Sequence, residues 1–255
     1  MTEFTKDALR VQVYATRAEM GRAAARDIEA AIAQVLREKG RCNMIFAAAP
    51  SQNEVLAALA ASKSIDWPRV HAFHMDEYIG LPAAAPQGFA NFLRAALFDK
   101  VPLGSVHCID STAGAEAEAA RYSALLRENP ADIVLLGIGE NGHLAFNDPH
   151  VAQFDDPALV KAVTLDDTCR MQQVHDGCFA SLDEVPRTAL TLTIPALMAA
   201  GQAFCVVPAP TKAQAVRRTL EGPVSPECPA TALRRHPHAA LYLDADSASL
   251  LARRT

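Results

Sequence analysis

Two short stretches of the chain put groups that move protons beside backbone that can crowd a ligand. In the first, the apolar run Ile133-Val134-Leu135-Leu136 feeds into Gly137-Ile138-Gly139-Glu140-Asn141-Gly142-His143 and on to Leu144-Ala145-Phe146-Asn147-Asp148-Pro149. This is the layout of a buried strand that ends in a tight loop. Glycine lets backbone approach a ligand closely, and histidine exchanges protons near neutral pH. His143 is therefore a candidate general base, with Asp148 as a carboxylate in the same loop. The plainer alternative is a satisfied core histidine. The second stretch is Phe73-His74-Met75-Asp76-Glu77-Tyr78-Ile79-Gly80-Leu81, with two acids just past a strand. Neighbouring carboxyls in a partly buried site have their proton affinities pushed apart, which leaves one as a base. Against this stands a structural role for Asp76 as a helix N-cap.

Two further segments have the setting of an anion cradle. Pro50-Ser51-Gln52 lies between a strand and a helix, so free N–H groups and the Ser51 hydroxyl can meet a phosphate. Pro208-Ala209-Pro210-Thr211-Lys212 has the same setting and adds an ammonium group. Capping accounts for Ser51 equally well, and Lys212 alone is an ordinary surface lysine. Together, with a histidine loop between them, they point to a phosphorylated small molecule. Gly137, Gly139 and Gly142 also spell G-x-G-x-x-G, but His143 and a proline-containing loop follow instead of a long helix and a second acidic strand end. No nicotinamide, flavin or other cofactor is expected. The remaining histidines have no metal-site spacing, so no metal is expected either.

The elements that must position these loops alternate between helix and strand, the pattern of a mostly parallel sheet with helices on both faces. Thr16 with Glu19 reads as a capping box for a helix that runs to Gly40. Strands are expected near Met44–Phe46, Val70–Met75, Ile133–Ile138, Val160–Leu165, Ala189–Leu192, Phe204–Val207 and Ala239–Leu243. Helices are expected from Ser51, at Phe89–Leu97, Ala115–Leu126 and Lys212–Leu220. Asp148 to Asp156 reads as an active-site loop or lid. With no repeat or linker, residues 1–255 are expected to form one α/β/α domain. Ligands of such sheets bind at the carboxyl ends of strands.

Bulk properties narrow the class. Half of the 255 residues are hydrophobic, which supplies a sizeable core. A net charge of -5 gives no footprint for nucleic acid, and the pairs Arg217-Arg218, Arg234-Arg235 and Arg253-Arg254 read as solvated faces. Six cysteines without a C-x-x-C pair read as reduced core thiols. The polar start, Met1 to Asp7, lacks a signal-peptide core, and no run is long and apolar enough for a bilayer. A cytoplasmic protein without membrane partners is expected; a homo-oligomer is compatible with the sequence, which leaves the assembly open.

The segments Met75–Leu81, Gly137–Pro149, Ala189-Leu190-Thr191 and Lys212-Ala213-Gln214-Ala215, with Leu220-Glu221-Gly222, resemble the glucosamine-6-phosphate deaminase/isomerase family. The resemblance extends more weakly over nearly the whole chain. It implies a three-layer α/β/α fold shared with 6-phosphogluconolactonases, no redox cofactor and a phosphorylated amino-sugar substrate. The implied reaction turns glucosamine 6-phosphate and water into fructose 6-phosphate and ammonia. His143 would assist ring opening, and Asp76 would move the C2 proton to C1 through an enolamine. Glu77 would support Asp76, Asn141 and Asp148 would serve His143, and Gly139 would border the substrate. Ser51, Lys212 and Arg170 would contact its phosphate.

Four features depart from the family pattern. Asn141 stands where an aspartate is common, and Asp148 replaces the usual glutamate. Ala47-Ala48-Ala49-Pro50-Ser51-Gln52 replaces a glycine-rich loop, and Cys169-Arg170-Met171-Gln172-Gln173 marks a subgroup. The competing functions are another hexosamine phosphate such as galactosamine 6-phosphate, a 6-phosphogluconolactonase-like hydrolase, and a non-catalytic sugar-phosphate sensor.

Overall fold

The fold is described from a computed structural model, for residues 1–252; the Arg253-Arg254 pair lies outside the described residues. β1 (Thr2–Lys6) and β2 (Leu9–Tyr14) open the chain as an antiparallel hairpin. In α1 (Arg17–Lys39) the expected cap is present: Thr16 Oγ1 accepts from the Glu19 N–H at 3.2 Å, and Gly40 ends the helix in the left-handed region. There follow β3 (Cys42–Phe46), α2 (Asn53–Ala61), β4 (Val70–His74), β5 (Asp76–Tyr78), α3 (Phe89–Leu93) and β6 (Ser105–His107). Next come α4 (Ala115–Glu128), β7 (Ile133–Leu136), β8 (Val160–Thr164), α5 (Asp167–His175) and β9 (Thr188–Leu192). α6 (Ile194–Met198), β10 (Gln202–Val207), α7 (Ala213–Glu221) and β11 (Ala239–Asp244) complete the order.

Eight strands form one sheet in the order β1-β2-β11-β10-β7-β3-β4-β6, parallel except for β1. Both faces are covered, and the strands show it residue by residue. Ile133 and Leu135 join the core on one face with Met44, Phe46 and α1, while Val134 and Leu136 join the other with Ile45, Leu241 and α7. Burying each such side chain stabilises the fold by about 1.5–3 kcal/mol. From β3 the chain proceeds outward to β4; from β7 it crosses to β10 on the opposite side. The boundary between β3 and β7 is thus the switch point, where the loops at the carboxyl ends of the strands diverge and leave a crevice.

β5, β9 and β8 form a separate antiparallel sheet of three strands. The segments at 160–165 and 189–192 are strands as expected, but they belong to this small sheet. The helix expected over Phe89–Leu97 is α3 followed by a π-helical turn at Arg94–Phe98. Of the arginine pairs read as solvated, Arg234 is buried instead: it donates to Asp7, to Thr219 O and to Gly222 O.

Candidate active site

Loops from the ends of β3, β4, β7 and β10 converge on one cleft, whose walls include Ser51, Asp76, Gly139, His143, Phe89 and Lys212. The ordering of each wall follows from its own local chemistry.

Asp76 reaches the cleft because the chain leaves the main sheet at His74 and re-pairs at once with β9, Asp76 standing opposite Thr191. Side chains alternate along a strand, so Asp76 and Glu77 face opposite ways. Asp76 is 6% exposed, and no described side chain hydrogen-bonds to its carboxyl. Burial, and then Glu77, push its proton affinity well above the ordinary carboxylate range. Glu77 does not support Asp76 by contact. Its carboxylate accepts from the N–H groups of Tyr78, Phe89 and Ala90 at 2.9–3.0 Å, so it caps α3 from a distant strand. The capping role considered for Asp76 belongs to Glu77, which does not border the cleft.

His143 is held by the turn before it. The Gly139 N–H donates to His143 O at 3.0 Å, and Gly142 adopts φ +93° between them. A Cβ on Gly139 would overlap the imidazole itself, so glycine there is a steric requirement of the histidine's position. Asp148 is fully buried behind the ring, its Oδ1 3.1 Å from His143 Nδ1, an approach angled off the ideal hydrogen-bond line. Burial alone would raise the proton affinity of Asp148, but the neighbouring His143, the Asn141 amide and the Asp166 N–H hold it below the usual range. Asn141 does not bond to the imidazole. Its Oδ1 accepts from the His143 backbone N–H at 3.0 Å, and its Nδ2 donates to Asp148 Oδ1 at 2.9 Å. Beyond Asp148 the loop packs down, with Ala152 buried and Lys161 clamping Val151 O and Asp156 at 2.7 Å. It does not border the cleft as a lid would.

The opposite end of the cleft is cationic. Ala209 carries φ +84° and ψ 149°, a backbone conformation that costs a non-glycine residue about 1–3 kcal/mol, and its N–H is gripped by both Asp244 oxygens at 3.1–3.2 Å. This turn sends Lys212 inward, where it is 3% exposed without a hydrogen-bond or ion-pair partner among the described residues. Burial pushes the Lys212 ammonium down in pKa, with Asp176 and Glu140 opposing. A buried unpaired ammonium in the cleft that Ser51 also lines is suited to bind an anion. Gln52 Nε2 bridges Ser51 Oγ at 3.0 Å to Val206 O at 3.1 Å, fixing one phosphate-loop candidate to the strand that carries the other.

Arg170 is not part of this end. It is 1% exposed, and its guanidinium is consumed by Val185 O, Leu182 O and Asp167 at 2.6–3.3 Å. It staples α5 to the following segment. The residues of α5 that do reach the cleft are Gln172 and Gln173. Their unusual sequence context was visible, but only the helix shows which face turns inward. Among the described residues, two groups each bring three ligand atoms within 4.8 Å of one another: His143, Asp148 and Cys169, and Asp148, His150 and Asp166. Burial, and then the neighbouring Asp148 and Asp166, push the Cys169 thiol up in pKa.

The arrangement offers an imidazole at one wall and a carboxyl at the other as proton acceptors, with a buried ammonium to anchor an anionic group of the ligand. The family model for glucosamine-6-phosphate isomerases and 6-phosphogluconolactonases matches residues 15–242. A glucosamine-6-phosphate deaminase of Listeria welshimeri is 36% identical over 213 residues, covering 83% of this chain and 89% of that protein. A monomeric glucosamine-6-phosphate deaminase of known structure superposes with a TM-score of 0.85 at 28% identity, over 94% of this chain and 99% of that one. The 6-phosphogluconolactonase of Thermotoga maritima shares the fold, with a TM-score of 0.76 at 20% identity over 92% and 99% of the two chains.

Proposed function

The chain belongs to the glucosamine-6-phosphate isomerase/6-phosphogluconolactonase family, and from that premise we propose that it is a glucosamine-6-phosphate deaminase. The observation that carries this choice is the buried, unpartnered Asp76 carboxyl facing the cleft that His143 and Lys212 also line. Hydrolysis of a lactone needs no base aimed at carbon; an aldose–ketose isomerisation does.

The substrate phosphate binds to Lys212 and Ser51. His143, held against Asp148, accepts the C1 hydroxyl proton as the ring opens, and the ring oxygen takes up a proton to become the C5 hydroxyl. Ionised Asp76 then removes the C2 proton of the open-chain aldehyde while His143 returns its proton to O1, giving an enolamine, and Asp76 delivers the C2 proton to C1. One carboxylate serves both carbons because they are neighbours. The resulting C2 imine adds water and expels ammonia, leaving fructose 6-phosphate. The raised proton affinity of Asp76 makes it a stronger base once ionised, and it gives kcat/KM an acid limb that rises as pH climbs through that value.

A glucosamine-6-phosphate deaminase of similar structure is monomeric, which supports a monomeric enzyme here. None of the described helices is long and apolar enough to cross a membrane, and the six cysteines are free thiols, in keeping with a cytoplasmic enzyme.

The test is turnover of glucosamine 6-phosphate, galactosamine 6-phosphate and 6-phosphogluconolactone in parallel. Glucosamine 6-phosphate is expected to have the highest kcat/KM; preferred lactone hydrolysis would overturn the assignment. Gly139→Ala should displace the imidazole and lower kcat about 100-fold with KM little changed, since misplacing a catalytic group by about 1 Å costs that much. Steady-state kinetics near the wild-type value would show that His143 does not need its observed position.

A further inference from the structure

We infer that Asp166 is a positioning residue for the His143–Asp148 pair, acting through the Asn141 carboxamide, which serves as an uncharged bridge between two carboxylates. The inference rests on the reading of His143 as the ring-opening base. Asn141 Nδ2 donates at 2.9 Å to Asp148 Oδ1 and, with its other hydrogen, at 2.9 Å to Asp166 Oδ2. The Asp166 N–H donates in turn to Asp148 Oδ2 at 3.1 Å, so both oxygens of the fully buried Asp148 are fixed. The Asn141 side-chain oxygen is used as well, by the His143 backbone N–H.

An aspartate at position 141 would put carboxylate oxygen where the amide nitrogen now stands. It would remove both donated bonds and set three acids within contact. The second negative charge behind the histidine therefore sits on Asp166, and the neutral amide is what allows it there. Asp166 has a further attachment: its Oδ1 accepts from the Cys169 N–H at 2.6 Å and caps α5. One carboxylate thus ties the catalytic loop to the helix that brings Gln172 and Gln173 to the cleft. The titratable and charged groups facing the bridge are Asp148, Asp166, His143, the Cys169 thiol, His150 and Arg218, which donates to Asn141 O at 3.2 Å.

The test compares wild type with Asn141→Asp, Asp166→Asn, the double variant and Asn141→Ser. The readouts are kcat, KM and the ring-nitrogen NMR titration of His143, assigned with His143→Gln. Asn141→Asp should raise the His143 midpoint and lower kcat about 10- to 100-fold, with KM within twofold because Ser51 and Lys212 are untouched. Asp166→Asn alone sets amide donors against amide donors and also lowers kcat. In the double variant the amide introduced at position 166 can donate to the acid introduced at position 141, so its kcat should exceed that of either single variant. Asn141→Ser removes the bridge without adding charge; it should lower kcat without raising the midpoint, and it decides the matter if Asn141→Asp fails to fold. An unchanged midpoint with full activity in Asn141→Asp, additive losses in the double variant, or wild-type kcat in Asn141→Ser would overturn the inference. The titration needs no substrate, so a wild-type protein inert toward glucosamine 6-phosphate would defeat the functional reading while the bridge is still decided.

Discussion

Asp76→Asn is expected to lower kcat by about 10³- to 10⁴-fold, the scale of losing a positioned general base, while KM changes little. The same substitution should raise the melting temperature. Asp76 is buried without a partner, and its proton affinity in the folded state lies above that in the unfolded chain. As pH rises past the unfolded value, about 3.9, the unfolded chain releases the proton first. Wild-type stability therefore falls with rising pH up to the folded-state value, and the cost stays constant above it. Asparagine carries no such cost. The gap in melting temperature between variant and wild type should thus be small at about pH 4 and widen toward neutrality. Retained turnover would remove Asp76 as the carbon base, and a gap independent of pH would remove the account of its burial. The expectation has the form of a stability–activity trade-off, in which a destabilising group is kept for its chemistry.

Lys212→Met should act on the other end of the substrate. A charge-assisted hydrogen bond to phosphate contributes about 1.5–3 kcal/mol, so KM should rise about 10- to 150-fold. Because the phosphate is held equally before and during proton transfer, kcat should move far less. The ammonium is buried and unpaired in the free enzyme, and burial lowers its pKa. Its folded-state value lies below the unfolded one, so over the neutral range the charged form costs stability that methionine restores. Inorganic phosphate should raise the melting temperature of wild type and leave that of Lys212→Met unmoved. Equal protection of both proteins, or a loss confined to kcat, would place phosphate recognition elsewhere.

Much of this site could be read in the amino-acid sequence wherever a residue's role is local. Strands buried on both faces, such as Ile133–Leu136, write themselves as unbroken apolar runs, and the glycines after them announce a tight loop. Thr16 with Glu19 and Gly40 bounded α1 because caps are made within one turn. The carboxyl-end rule then brought Ser51, Asp76, His143 and Lys212 to one cleft. What sequence could not assign depends on pairings distant along the chain. Glu77 caps a helix that begins 12 residues later, which follows only from the short antiparallel pairing of β5 with β9. Arg170 has the composition of a phosphate ligand, yet α5 turns it inward toward carbonyls at Leu182 and Val185. The sequence shows Asn141 only as a departure from a common aspartate, because its partner across the loop, Asp166, is 25 residues away.

The most direct measurement is the stoichiometry of products from purified wild-type protein and glucosamine 6-phosphate. Ammonia and fructose 6-phosphate should appear in equal amounts, each matching substrate consumed, and both should vanish together in Asp76→Asn. Ammonia without fructose 6-phosphate, or no product at all under conditions where phosphate protects the fold, would contradict the assignment of this cleft to deaminating isomerisation.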